Sequence, residues 1–388
     1  MKKGKFSKFW IFLLIFAFFV MPLGVGGTFA SATNSDELKI TSKSAILVDY
    51  ESGKVIFEKN SNERLPIASM TKLASLSIIF DYLNKGIIKE NDLVIVSENA
   101  AGVGGSSAFL DAGSSYKLAD LIKTVVIASA NDSTVALAEF VAGSEESFVN
   151  KMNKLQNTLG LNNTNFENCT GLPAENHYSS ASDMVKIYKS VCNNQLYKKD
   201  AKIWMEDFVH PSGRKTGLVN TNRLVKTFDG IDGGKTGYTD KARFCLTASA
   251  SRGNTRLVGV VIGSQDSKTR FSEMSKLFNY GFANFENKLL VNSEVPVTVA
   301  KFKYAKTTAT LYPEKNINMF LSKNEEFVFS TDFEIYDLKA PLKQGDVVGK
   351  MFVLDKNNMM IDEVNIVVSE NVDEVGFKET VNKILQNW

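Results

Sequence analysis

Asp232-Gly233-Gly234-Lys235-Thr236-Gly237-Tyr238-Thr239 leads straight into residues 243–250, a run that alternates with Phe244 and Leu246 on one side. Ser251-Arg252-Gly253-Asn254 supplies a turn, and residues 256–263 return as a second strand, with a helix expected from about 268 to 285. Near the other end, Ser44-Ala45-Ile46-Leu47-Val48 enters the turn Asp49-Tyr50-Glu51-Ser52-Gly53, and Lys54-Val55-Ile56-Phe57 returns. Helical spacing fills the interval. Leu73, Leu76, Phe80 and Leu83 recur along one face of a helix that starts near Ser69 and is closed by Gly86. Leu118, Leu121, Ile122 and Val125 mark a second helix, which breaks at Ser129-Ala130-Asn131 and resumes through Val135 and Phe140 towards Gly143. Strands at both ends with helices between predict an α/β (α+β) fold, a helix-covered sheet in which the first and last strands are neighbours.

From about Leu289 the texture changes to short β-branched runs separated by polar turns, such as 295–299, 308–312, 327–330, 347–354 and 364–369. Residues 289–371 therefore read as a separate small all-β domain of roughly 80 residues, after a larger domain over 38–288. The whole chain has 388 residues, 44% hydrophobic and 23% charged, with 26 Gly and 7 Pro. That composition excludes a collagen-like, low-complexity or disordered protein, and the length suits two domains better than one.

The ends carry their own signals. Lys2, Lys3, Lys5 and Lys8 precede an apolar run from Phe9 to Met21, and Ala30-Ser31-Ala32 follows. The pattern is that of a secretory signal over residues 1–32, the run being shorter than the ~20 residues a span needs. Without those four lysines the formal charge falls from +2 to −2, so no dense basic face remains and nucleic acid is not an expected partner. Cys169, Cys192 and Cys245 are too few for a disulfide scaffold. Three buried free thiols are expected ahead of a Cys169–Cys192 bridge. His177 and His210 stand far apart with no Cys-x-x-C, so neither zinc nor any other cofactor is called for. Over 376–388, Phe377, Val381, Ile384, Leu385 and Trp388 share one helical face. The segment suits a peripheral membrane foot and, equally, a helix docked on its own domain or a frayed tail.

Chemistry enters with Ser69-Met70-Thr71-Lys72. A serine at a helix start has free backbone N–H groups and a positive dipole end beside it, and Lys72 lies one turn along on the same face. Lys72 serves as a base only if its surroundings lower its pKa. The pattern alone is weak: Ser114-Ser115-Tyr116-Lys117 and Ser212-Gly213-Arg214-Lys215 repeat it, and Ser97-Glu98-Asn99 and Ser369-Glu370-Asn371 match Ser129-Ala130-Asn131. Lys-Thr-Gly occurs at both 215 and 235. Order and context select Ser69, Ser129 and Lys235. Lys235 leads into the strand pair, whereas Lys215 is followed by polar Asn220-Thr221-Asn222 and no strand pair is expected there.

Ser-x-x-Lys, Ser-x-Asn and Lys-Thr-Gly in that order are the set found in penicillin-recognising serine enzymes. The chain resembles the serine-type D-alanyl-D-alanine carboxypeptidases, low-molecular-mass penicillin-binding proteins of the bacterial envelope. The resemblance rests on Ala68 to Lys72, Ile127 to Asp132, His177-Tyr178-Ser179-Ser180-Ala181, Asp232 to Thr239, and Lys339 to Gly349 in the β-rich part. Ala130 stands where relatives often have Gly, at a position without side-chain chemistry. The resemblance implies the β-lactamase/DD-peptidase type of fold and a set of roles. Ser69 attacks the penultimate D-alanine carbonyl and Lys72 takes its proton. Ser129 relays a proton to the departing amine, and Asn131 holds the peptide amide. Lys235 and Thr236 bind the terminal carboxylate, and Lys235 helps keep Lys72 neutral. Gly237 and Tyr238 line the site, the Tyr238 and Ser69 N–H groups forming the oxyanion hole. Arg270 resembles a carboxylate-side position and reads equally as a surface cation. Implied partners are peptidoglycan stem peptides, β-lactams as acylating inhibitors, and the outer face of the cytoplasmic membrane.

Three alternatives fare worse. A class A β-lactamase needs a Glu-x-x-Leu-Asn loop between the second and third motifs, and the nearest approach is Glu146-Ser147-Phe148-Val149-Asn150. A Ser-His-Asp hydrolase has no Gly-x-Ser-x-Gly elbow here, and His177 suits a structural anchor better. An inactive peptidoglycan-binding homologue has no need of Ser69, Lys72, Ser129 and Lys235 together.

Overall fold

The computed structural model describes residues 38–376 and Val381. The expected signal over 1–32 and nearly all of the C-terminal amphipathic segment lie outside the described residues. The strands of the larger part are β1 (Ser44–Asp49), β2 (Val55–Lys59), β3 (Ile231–Thr239), β4 (Arg243–Arg252) and β5 (Thr255–Ser264). They form one antiparallel sheet in the order β2-β1-β5-β4-β3. β1 lies on β5 with Ser44 opposite Ile262 and Asp49 opposite Leu257, so the distant ends of the domain are joined.

Both faces of the sheet are covered, which explains why β1 and β5 are almost continuously apolar. Ile46, Val48, Val258 and Val260 face a core shared with α1 (Lys72–Asn84), α2 (Leu118–Ala128), α3 (Asn131–Ala142) and α4 (Ala181–Val191). Ala45, Leu47, Leu257 and Val261 face Met274, Leu277 and Phe278 of α5 (Ser267–Asn284). A helix at Glu145–Leu159, which lacks a wide apolar stripe, adds Phe148 and Met152 to the first core. Cys169, Cys192 and Cys245 are buried free thiols.

One expectation is corrected. Lys215–Val219 is a strand, paired antiparallel with Met205–Val209. The polar residues after it misled because they are polar for an interior reason. Asn220 is buried and donates to Ala201 O and Ile203 O, and Asn222 is buried and caps the turn into Leu224–Thr227.

The C-terminal part consists of β6 (Phe285–Val291), β7 (Thr298–Ala300), β8 (Ala309–Pro313), β9 (Ile317–Ser322), β10 (Phe329–Ile335), β11 (Val347–Asp355) and β12 (Met360–Val368). β6 pairs with β9, and the others form a sheet in the order β7-β8-β12-β11-β10. β6 begins directly after α5 and straddles residue 289, so the two parts meet without a linker. Phe285 stacks on Phe320 at 5.4 Å, Lys323 Nζ donates to Phe282 O at 2.7 Å, and Asn287 Nδ2 donates to Asp49 Oδ1 at 2.7 Å.

Candidate active site

Ser69 lies in a 3₁₀ turn, Ala68–Thr71, that runs into α1. The tighter turn offsets the serine from the α-helical ladder, and Ala68 before it has φ +49, a left-handed conformation that costs a non-glycine residue energy. Two glycines make room for this turn. Gly171 has φ +85, and a Cβ there would overlap Ala68 O. At Gly237 on β3 a Cβ would lie 2.5 Å from Ile67 O and 3.2 Å from Ser69 N, so a side chain would push the strand off the serine. β3 is the edge of its sheet, and its outer edge is free to pair with an extended peptide.

Lys72 is completely buried, and its Nζ lies 3.0 Å from Ser69 Oγ and donates to Thr170 O at 2.8 Å. Burial pulls its pKa down to about 7, against smaller opposing effects of Cys169 and Asp132. A neutral amine reverses the 3.0 Å contact, so that Ser69 donates its proton to Lys72.

Ser129 closes α2 in the left-handed conformation, φ 64 and ψ 32, and Asn131 opens α3. That break turns the Ser129 hydroxyl towards β3, where Lys235 Nζ donates to it at 2.8 Å. Lys235 is also completely buried, and its pKa is pushed well down by burial first and then by Lys72 and Arg270. Two ammonium groups share this dry space without a carboxylate bonded to either among the described residues, so their repulsion favours a neutral form.

Asn131 Nδ2 donates to Gly104 O at 2.6 Å and its buried Oδ1 has no partner, an acceptor in place for an incoming N–H. Thr236, Gly237 and Tyr238 line the cleft with Ser69, Ser129 and Arg270, in a volume of about 830 Å³. The Tyr238 hydroxyl donates to Asp240, and its ring lies 4.5 Å from that of Phe244, which also lines the cleft. Arg270 is buried: Nη1 donates to Gly237 O and Cys245 O, Nη2 to Ser267 Oγ, and burial lowers its pKa to about 10. It buttresses the β3 segment carrying Gly237 while lining the cleft. His177 accepts from Glu167 N at 3.1 Å and contacts Thr71 Oγ1 at 2.7 Å, and burial holds its pKa down to about 4. It anchors the loop behind the serine.

Sequence reasoning missed two parts of the site. In the turn at 168–171, Asn168 Oδ1 accepts from Thr170 N and Gly171 N, presenting Thr170 O to Lys72. Its Asn and Gly, with Pro173 following, were the available turn signal. Buried Asp132 accepts from Ser107 Oγ, Ala108 N and Leu110 N, fixing the loop whose Gly104 and Ser106 carbonyls hold Asn131.

Residues 30–266 match the D-alanyl-D-alanine carboxypeptidase family, peptidase S11, and residues 285–374 match the C-terminal domain of penicillin-binding protein 5. The chain is 38% identical to the D-alanyl-D-alanine carboxypeptidase DacF of Bacillus subtilis, over 91% of this chain and 92% of that one. It is 34% identical to DacA of Escherichia coli over 90% of each. Penicillin binding protein 5 from Haemophilus influenzae is similar in structure, with TM-score 0.66, 32% identity and coverage of 86% of this chain and 98% of that one. The chain belongs to the peptidase S11 family of D-alanyl-D-alanine carboxypeptidases.

Proposed function

We propose that this carboxypeptidase removes the terminal D-alanine from peptidoglycan stem peptides through an acyl-enzyme on Ser69. The observation that carries the proposal is the Lys72 amine, buried, lowered to about 7 and 3.0 Å from Ser69 Oγ. Neutral Lys72 takes the Ser69 proton as Oγ attacks the penultimate carbonyl. The negative charge that develops on the carbonyl oxygen faces the N–H groups of Ser69 and Tyr238. Asn131 Oδ1 accepts from the peptide N–H. The C–N bond breaks, and Ser129 relays a proton to the departing amine. Lys235, whose charged form a bound carboxylate restores, and Thr236 hold the terminal carboxylate. Water then cleaves the Ser69 ester, with Lys72 taking the proton.

Thr170 O fills the position beside Lys72, and no carboxylate is bonded to Ser69 or Lys72 among the described residues. A bulky β-lactam acyl group therefore meets no dedicated deacylating base, and its adduct clears slowly. The proposal also places the protein outside the cytoplasm on the outer face of the cell membrane, on the support of the signal-like stretch 1–32 and the amphipathic stretch 376–388. Deleting 376–388 is expected to release the protein from membranes, and unchanged association would remove the anchor from the proposal.

The test is D-alanine release from a peptide ending in D-Ala-D-Ala. Ser69→Ala and Lys72→Ala should each lose about 10⁴-fold or more in kcat, and turnover retained by Ser69→Ala would overturn the assignment.

A further inference from the structure

We infer that Asp232 is a positioning residue for the reaction: it pins a surplus residue in β3, and that residue turns Lys235 towards Ser129. The inference rests on the Ser69 reading and adds a residue to its machinery. Along an unbroken strand, residues two apart share a face. Ile231 packs against the core on the α5 side of the sheet. Gly233, two residues on, faces the other way, where a Cβ would lie 2.9 Å from the Tyr197 ring and 3.0 Å from the Tyr188 hydroxyl. Lys235 and Gly237 keep that second direction, towards Ser129 and the Ser69 turn.

The phase changes at Asp232. Ile231 lies opposite Ala250 on β4, Gly233 opposite Ser249 and Lys235 opposite Thr247, so Asp232 is the extra residue of a bulge. Had the first register continued, Lys235 would lie opposite Leu246, whose side chain belongs to the α5-side core. Its amine would then point away from Ser129, and the cleft would lose the group that meets the substrate carboxylate.

Side-chain chemistry pins the bulge. Ser249 Oγ donates to Asp232 Oδ1, and Ser251 Oγ donates to Oδ2 at 3.0 Å. Arg256 Nε on β5 stands 2.8 Å from Oδ2, and both members of this ion pair are more than four-fifths buried. Ser249 gives its one proton to Asp232, so it accepts from the Tyr188 hydroxyl at 2.8 Å and from Arg256 Nη2 at 3.2 Å. The carboxylate thus ties the surplus residue to β4 and, across it, to β5. Without the carboxylate, Arg256 would be left buried and unpaired. None of Asp232, Ser249, Ser251 and Arg256 lines the cleft, so Asp232 acts through Lys235.

Acylation by benzylpenicillin, followed by intact mass, tests the inference through both the yield of adduct and its rate. Asp232→Asn keeps the size of the side chain and loses its charge. It should still reach one equivalent of adduct, about 30-fold more slowly, as expected for a displacement of under 1 Å at Lys235. In a Lys235→Gln background the same substitution should cost less than about 2-fold more, because the residue it positions is already gone. Ser251→Ala removes one tie and should cost about 3-fold, again only where Lys235 is present. If Asp232→Asn fails to fold, Ser251→Ala decides by the same criteria. Wild-type rates in the variant, or a lower yield formed at the wild-type rate, would overturn the inference. So would equal losses with and without Lys235. A wild type that forms no adduct would instead strike the Ser69 reading itself.

Discussion

The chain contains Lys-Thr-Gly twice, each time on an antiparallel strand, and the two copies do different things. Lys215 extends into solvent, its side chain 64% exposed, and faces the equally exposed Asp207 at 3.6 Å. Thr216 Oγ1 meets His210 Nε2 at 2.8 Å, and a Cβ on Gly217 would touch nothing within 4 Å. Lys235 is completely buried, donates to Ser129 and has its pKa driven down, and Gly237 is pressed against the Ser69 turn. Identical side chains thus become a weak surface ion pair in one place and half of a catalytic constellation in the other. What separates them is the packing of β3 onto the 3₁₀ turn.

The comparison can be broken most severely at Lys235. Lys235→Gln removes the donor to Ser129 and the amine that a bound substrate carboxylate restores to its charged form. Acylation by benzylpenicillin should slow by about 10²- to 10³-fold. Next comes Gly237→Ala. The added methyl must displace either Ile67 O or the strand, and a shift of about 1 Å at the nucleophile costs about 10²-fold. Thermal unfolding should also report a loss of about 1–3 kcal/mol.

Acidity comes third. Lys72 must be neutral to accept the serine proton, and its pKa is lowered to about 7. Acylation should therefore fall about 10-fold per pH unit below 7 and level off above it. The sign for stability follows from the same burial. Between about 7 and the ordinary lysine value of 10.5 the unfolded chain keeps a proton that the folded chain lacks, so stability rises with pH across that window. Lys72→Met should flatten the rise in a series of denaturant titrations. The smallest effects belong to the other copy. Lys215→Gln and Gly217→Ala should leave acylation within about 2-fold and stability within about 0.5 kcal/mol. A large effect of either would mean that the exposed copy has a role beyond its surface strand.

Much of this was legible from local pattern and motif order. Leu73, Leu76 and Phe80 marked α1, and the interruption at Ser129 showed as a break before its left-handed backbone was known. The pairing of β1 with β5 followed from strands at both ends of one domain. Tertiary burial was not legible. The pattern Ser69-x-x-Lys72 is shared by exposed stretches of the same chain, and burial of α1 behind the turn at 168–171 is what lowers the Lys72 pKa to about 7 and lets it act as a base. Asn220 looked like a loop residue because the carbonyls it donates to, Ala201 O and Ile203 O, come from another segment. Arg270 looked like a surface cation or a substrate ligand, and its three donors to β3, β4 and Ser267 gave it a third character.

The most direct test of the central claim, that Ser69 activated by Lys72 forms a covalent acyl-enzyme, is intact mass over time after mixing the protein with benzylpenicillin, with Ser69→Ala in parallel. A one-equivalent adduct that persists on the wild type and never forms on the variant is the predicted result. An adduct on Ser69→Ala, or rapid penicillin consumption without an accumulating adduct, would contradict it.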